Sequence, residues 1–178
     1  MRSHFYIFIF SLLFITSCFG SIEKRGSVKG YYNGVVRTDG GQFRVGTLPA
    51  YWKQKKIKFR ALFFENQNDH STITIDSFCR SAVDSGNLED LTKKLLRSLK
   101  KVHIEQQKSE ILSGREALQT VFTGYVDGNK ILSDIYVLKM NECVFDFIYV
   151  SYPSDNNYQT DFLNLVKGFQ FIEGPDPL

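Results

Sequence analysis

The sequence predicts an α+β domain in which an antiparallel sheet of about six strands is flanked by helices. Three observations carry that expectation. Apolar and polar residues alternate along Ala117–Val126, Lys130–Met140 and Cys143–Tyr152, and a period of two marks strands. Asp127-Gly128-Asn129 joins the first two runs and Asn141-Glu142 the last two, so the three form a meander of hairpins. Leu88, Leu91, Leu95, Leu99 and Val102 instead recur at three and four residues, as do Tyr158, Phe162, Leu165, Val166 and Phe169. That is the period of two amphipathic helices.

The chain opens on Arg2 and His4, followed by a greasy run from Phe5 to Ile15. The run has the length of a secretory signal and falls well short of the ~20 apolar residues that cross a bilayer. Ile15-Thr16-Ser17-Cys18 closes it. This order of aliphatic, small, small and Cys resembles the bacterial lipoprotein signal. The resemblance implies that residues 1–17 are removed, that Cys18 carries acyl chains, and that the rest is held at a membrane. Two or three chains, at ~0.8 kcal/mol per buried CH₂, make such an anchor effectively permanent. Phe19 stands where an Asp would mark retention in the inner membrane, so the resemblance implies the periplasmic face of the outer membrane. An ordinary secretory signal with an incidental cysteine is the alternative.

With 43% hydrophobic and 15% aromatic residues in a chain of 178, disorder is excluded and one ordinary core is supplied. The formal net charge of +3 loses one unit with Arg2 and leaves no electrostatic case for nucleic acid. There are three cysteines. With Cys18 given to lipid, Cys79 and Cys143 remain as a pair in an oxidising compartment, the setting where disulfides persist. A bond between them closes a loop of about 65 residues and contributes ~4 kcal/mol on the loop-entropy model. Two buried free thiols, or a redox or metal site, are the alternatives.

In chain order, residues 18–41 carry Gly20, Gly26, Gly30, Gly34, Gly40 and Gly41 among charged residues and serines, which reads as a flexible tether. Tyr31, Tyr32, Val35 and Val36 leave room for a short edge strand, so the tether ends near residue 28 or near residue 40. The folded domain is placed at residues 42–173, with 174–178 as a tail. Gln42–Leu48 reads as a strand broken at Pro49 and followed by Tyr51 and Trp52. Ile57–Phe64 sets Ile57, Phe59, Ala61 and Phe63 against Lys56, Lys58 and Arg60, a strand with one wet face. Asn66–His70 turns the chain into the β-branched run Ser71–Phe78. The helix over Asn87–Val102 has Asn87 as cap and Glu89 and Asp90 in its first turn. Its far face carries Lys93, Lys94, Arg97, Lys100 and Lys101. Lys108–Leu112 reads as a short strand turned at Ser113–Glu116.

Phe43-Arg44-Val45 ahead of Pro49-Ala50-Tyr51-Trp52, Ser113-Gly114-Arg115-Glu116-Ala117 opening the meander, and the closing segment Phe162–Phe171 resemble, in kind and order, the PsbP-like superfamily. The likeness covers about residues 42–172. The superfamily holds photosystem II extrinsic subunits and many bacterial lipoproteins, and the resemblance implies an α/β/α sandwich. It brings no catalytic residues, and the Cys79 and Cys143 pair, which is not general there, points to a bacterial subfamily.

No GxSxG, HExxH or GxxxxGK[ST] is present, His70 falls in a polar turn, and Asp127-Gly128-Asn129 lacks the downstream ligands of a calcium loop. The expectation is a chain that is not an enzyme and uses no cofactor or metal. Two functions remain. The first is a non-catalytic binding or assembly module in the cell envelope. It is tied to the membrane through Cys18 and meets an envelope protein or a ligand through Tyr51 and Trp52, or offers Lys93, Arg97, Lys100 and Lys101 to anionic lipid head groups or an acidic partner. The second is a carrier or sensor of a small apolar ligand such as a lipid, which requires an enclosed apolar pocket between sheet and helix. Against the first stand a Trp that merely anchors the core and lysines that merely solvate a helix.

Overall fold

The computed structural model describes residues 28–57, 61–79, 86–153 and 159–173. Cys18, the signal segment, Tyr158 and the tail lie outside the described residues. Among the described residues, seven strands make one antiparallel sheet: β4 (Trp52–Lys55), β5 (Leu62–Asn66), β6 (Thr72–Cys79), β7 (Lys100–Leu112), β8 (Arg115–Val126), β9 (Asn129–Met140) and β10 (Cys143–Ser151). Their order across the sheet is β4-β5-β6-β10-β9-β8-β7. A second sheet of four strands, in the order β1-β2-β3-β11, is built from β1 (Val28–Tyr32), β2 (Val35–Thr38), β3 (Gly41–Arg44) and β11 (Gln170–Glu173). Two helices complete the fold, α1 (Leu88–Leu96) and α2 (Gln159–Lys167).

The meander follows from its turns. Ser113-Gly114, Asp127-Gly128 and Asn141-Glu142 each place both residues at positive φ, the backbone twist that matches two antiparallel strands joined by a two-residue loop. The tight loops fix the register, and the register fixes the faces. Cys143, Phe145, Phe147 and Tyr149 of β10 point to one side, opposite Cys79, Ser77, Ile75 and Ile73 of β6. That side is covered by α2 and the small sheet. Phe43, Phe145, Phe147 and Phe169 meet there with ring centroids 5.1–5.6 Å apart, and Phe162, Leu165 and Val166 of α2 are fully buried beside them. The other side carries Val137 and Val144, on which α1 sets Leu88, Leu91 and Leu95.

Two close approaches hold the layers together. Gly46 N donates to Leu165 O at 2.8 Å, and a Cβ on Gly46 or Gly168 would collide with facing backbone. The end of α2 therefore lies backbone against backbone on the chain leaving β3. Cys79 and Cys143 stand directly opposite each other across β6 and β10 and their sulfurs are bonded. Gly40 packs on both sulfurs with no room for a Cβ.

The architecture departs from the sequence reading in five places. Val28–Thr38, which the tether over residues 18–41 and a domain starting at residue 42 left outside the fold, forms a hairpin of the small sheet. The helix expected over Asn87–Val102 ends at Leu96, and the strand expected at Lys108–Leu112 begins already at Lys100. Pairing with β8 along β7 outweighs helix propensity there, as tertiary context commonly does. In β5 the inward residues are Leu62, Phe64 and Asn66, so the alternation that put Phe63 inside is offset by one. Trp52–Lys55, to which the sequence reading assigned no strand, is an edge strand paired with β5. The sandwich is helix, seven-stranded sheet, then helix plus a second sheet, where helices alone were expected on both faces.

Candidate ligand-binding site

Helix α1 is too short for the surface it covers. Its nine residues rise about 14 Å, whereas the twelve residues each of β8 and β9 run about 40 Å. Asn87 caps the helix, its side chain accepting from Asp90 N at 2.8 Å, and Leu91 is buried near the disulfide end of the sheet. Toward the Asp127-Gly128 end the helix stops while the strands go on. The space left between them is a half-open cleft of about 410 Å³, more open than the enclosed pocket the carrier reading asked for.

Its walls are apolar. Leu95, Leu96 and Leu99 form the roof, and Phe122, Ile131, Ile135, Ile148 and Val150 form the floor. Ser133 also reaches the floor, but its hydroxyl donates to Tyr149 O at 2.6 Å, so it offers little polarity. Polar groups gather at the mouth, where His70, Asp127, Asn129 and Tyr152 stand with the half-exposed Val126. His70 is fixed by Glu65 at 3.0 Å, and Lys55 reaches the same carboxylate at 3.0 Å. The His70 hydrogen bond, then Lys55, holds the Glu65 carboxyl below the usual carboxylate range. An apolar floor with a few polar groups at the entrance is the build of a site for a small apolar ligand.

The residues singled out in the sequence fall elsewhere. Trp52 is 5% exposed, and its indole N–H donates to Asp161 of α2 at 3.0 Å. Tyr51 donates to the same carboxylate oxygen at 2.7 Å. Trp52 thus anchors the core and presents no face to a partner. Lys93 lies on α1, 3.8 Å from Asp90, and Arg97 closes the helix. Lys100 and Lys101 belong to β7, with the Lys101 ammonium 5.4 Å from the Tyr125 ring centroid. The four cations therefore do not form one helix face, and none lines the cavity. Among the described residues no group of three or more His, Cys, Asp or Glu side chains could hold a metal, and no helix is long and apolar enough to cross a membrane.

A second polar feature, unforeseen in the sequence, lies under α2. Asp134, 1% exposed, accepts from Gln119 at 2.8 and 2.9 Å and from Gln159 at 2.6 Å. Burial pushes its carboxyl above the ordinary carboxylate range, and the two amides only partly offset this. The chemistry here is structural, tying the first turn of α2 to the sheet.

No family model matches the sequence, and no curated protein is similar to it in sequence. Solved structures are similar in fold. The cyanobacterial PsbP, CyanoP, of Synechocystis sp. PCC 6803 superposes with a TM-score of 0.53 at 12% identity, over 89% of this chain and 99% of CyanoP. The fold is PsbP-like. LpqN, a protein involved in cell envelope biogenesis of Mycobacterium tuberculosis, gives 0.55 at 14% identity over 76% of this chain and 86% of its own. A protein of Bacteroides thetaiotaomicron gives 0.52 at 10% identity, and there the match spans 73% of this chain and 45% of that one. At these identities the likeness establishes the PsbP-like fold and nothing finer.

Proposed function

We propose that this chain is a lipid-anchored protein of the cell envelope whose PsbP-like domain binds a small apolar ligand, such as a lipid, without catalysing its conversion. The cavity of about 410 Å³ between α1 and the sheet carries this reading, because a volume in the range of about 300–1,000 Å³ with apolar walls and a polar mouth suits such a ligand. It moves the carrier or sensor role ahead of docking through Trp52, whose surface is spent on Asp161 and the core. The lipobox at Cys18 and the likeness to LpqN support the envelope setting. The outer membrane, periplasmic face, is the location that Phe19 favours.

Native mass spectrometry of the full chain, freshly released from membranes, tests the ligand. A small apolar mass is expected on the parent protein and absent from Ile148→Trp, which fills the floor while leaving the unfolding midpoint near that of the parent. A parent protein that flies bare and also fails to take up a fluorescent fatty acid saturably would refute binding. Independently, Cys18→Ser is expected to leave the membrane fraction, and sedimentation of that variant with membranes would sink the anchor.

A further inference from the structure

Among the described residues, strand β7 ends the seven-stranded sheet and has no neighbour on its outer side. Sheet edges expose unpaired N–H and C=O groups and are commonly blunted by shortness, by lysines or by bulges. The opposite edge, β4, is only four residues long and carries Lys53 and Lys55. The first half of β7 is blunted too, with register shifts between Lys100 and His103 and between Ile104 and Gln106. Its second half is longer than β4, free of register shifts, and carries a single lysine, Lys108. Gln106–Leu112 pairs residue for residue with Val121–Arg115, Gln106 to Ser109 are exposed, and Ile111 is 71% exposed.

We infer that this half of β7 is a docking edge for a second copy of the chain, with Gln106–Leu112 pairing antiparallel with itself about a two-fold axis at Ser109. Residues opposite each other in an antiparallel ladder point to the same face, so a strand pairing with itself must centre on a residue and not between two. Few centres are available. Lys108 as centre sets lysine against lysine, and Glu110 sets glutamate against glutamate, both unfavourable. Gln107 or Ile111 as centre draws the bulge at Glu105 or the turn at Ser113 into the ladder. Ser109 is the midpoint of the regular segment and uses all of it. In that register each Lys108 faces Glu110 of the other copy, on the face where the two already pair within one chain. On the other face Ile111 is set opposite Gln107 and diagonal to Ser109, which covers its side chain. Seven paired residues span about 23 Å of edge, too little for an obligate interface, so the dimer is weak and depends on concentration.

Cysteine cross-linking of the full-length chain in membranes, with the parent chain as background, tests the register. Ser109→Cys is expected to give a disulfide-linked dimer on mild oxidation. Gln107→Cys and Ile111→Cys are each expected to give none alone, and the double variant to give one. Adding Lys108→Glu to Ser109→Cys should cut the dimer yield about tenfold through glutamate facing glutamate, and Lys108→Glu with Glu110→Lys should restore it. Absence of the Ser109→Cys dimer, equal cross-linking at 107, 109 and 111, or indifference to Lys108→Glu would each overturn the proposal. All the substituted positions except Glu110 are exposed, so folding does not confound the readout.

Discussion

Replacing Asp161 with alanine tests the link between α2 and the N-terminal edge of the sheet. The carboxylate takes both of its cross-layer bonds on one oxygen, from Tyr51 at 2.7 Å and Trp52 at 3.0 Å. Asp161→Ala leaves the indole N–H of a 5% exposed Trp52 without its acceptor, at a cost of about 1–3 kcal/mol. Tyr51 is half-buried and its hydroxyl can turn to water, which limits that loss to about 1 kcal/mol. A carboxylate in the first helical turn adds about 0.5 kcal/mol. The sum is about 2.5–4.5 kcal/mol, or roughly 5–18 °C in Tm for a domain of this size. Asp161→Asn keeps one oxygen, and one oxygen is all that the two donors use, so it should cost only about 1 kcal/mol. The chain has a single Trp, so its fluorescence during denaturant unfolding reports on the site itself. An alanine variant within about 0.5 kcal/mol of the parent, or an asparagine variant as damaged as alanine, would refute this account of the contact.

Asp134 gives the domain a pH dependence. Because burial raises its folded pKa, the native state holds the proton more tightly than the unfolded chain. Stability is therefore greatest below the unfolded carboxylate value of about 4, falls as pH rises through the folded value, and is level above it. Asp134→Asn should flatten that slope in unfolding midpoints measured across the acid range, and a slope unchanged by the substitution would assign it to another group. Glu142 sits at φ 60° in the turn between β9 and β10, where a side chain costs about 1–2 kcal/mol. Glu142→Gly should raise stability by up to about 1 kcal/mol after the entropic cost of glycine is subtracted, and thermal unfolding that shows a loss would contradict the turn assignment.

The parts of the fold that are local in sequence could be read from it. The meander was legible because its strands alternate and its turns carry Asp-Gly and Ser-Gly, both short-range signals. Helix α1 was legible at its start, where Asn87 caps, but not at its end. Leu99 and Val102 continue the helical period although α1 has ended at Leu96 and β7 begins at Lys100, and periodicity cannot tell a cavity roof from a core stripe. The glycines at 34 and 40 suggested a leash. In the structure Gly34 serves a positive φ between β1 and β2 and Gly40 serves contact with the disulfide, roles that depend on partners distant in sequence. For the same reason Trp52 could not be assigned. Its acceptor lies 109 residues away. The cavity was the least legible, since it arises from a mismatch between the length of one helix and the length of the strands beneath it.

The early start of the fold changes what the proposed anchor can do. A tether running from Cys18 to residue 41 would let the domain roam about 80 Å from the bilayer, at ~3.4 Å per extended residue. With β1 beginning at Val28, only about ten residues separate the proposed anchor at Cys18 from the sheet, a reach of at most about 35 Å. The small sheet that holds Val28 covers the face opposite α1, whereas His70 and Tyr152 line the cleft on the α1 face. A leash this short also confines neighbouring copies to one thin layer. Confinement raises their effective concentration without any new contact, and that is the condition under which an edge of only seven paired residues would suffice to bring two copies together.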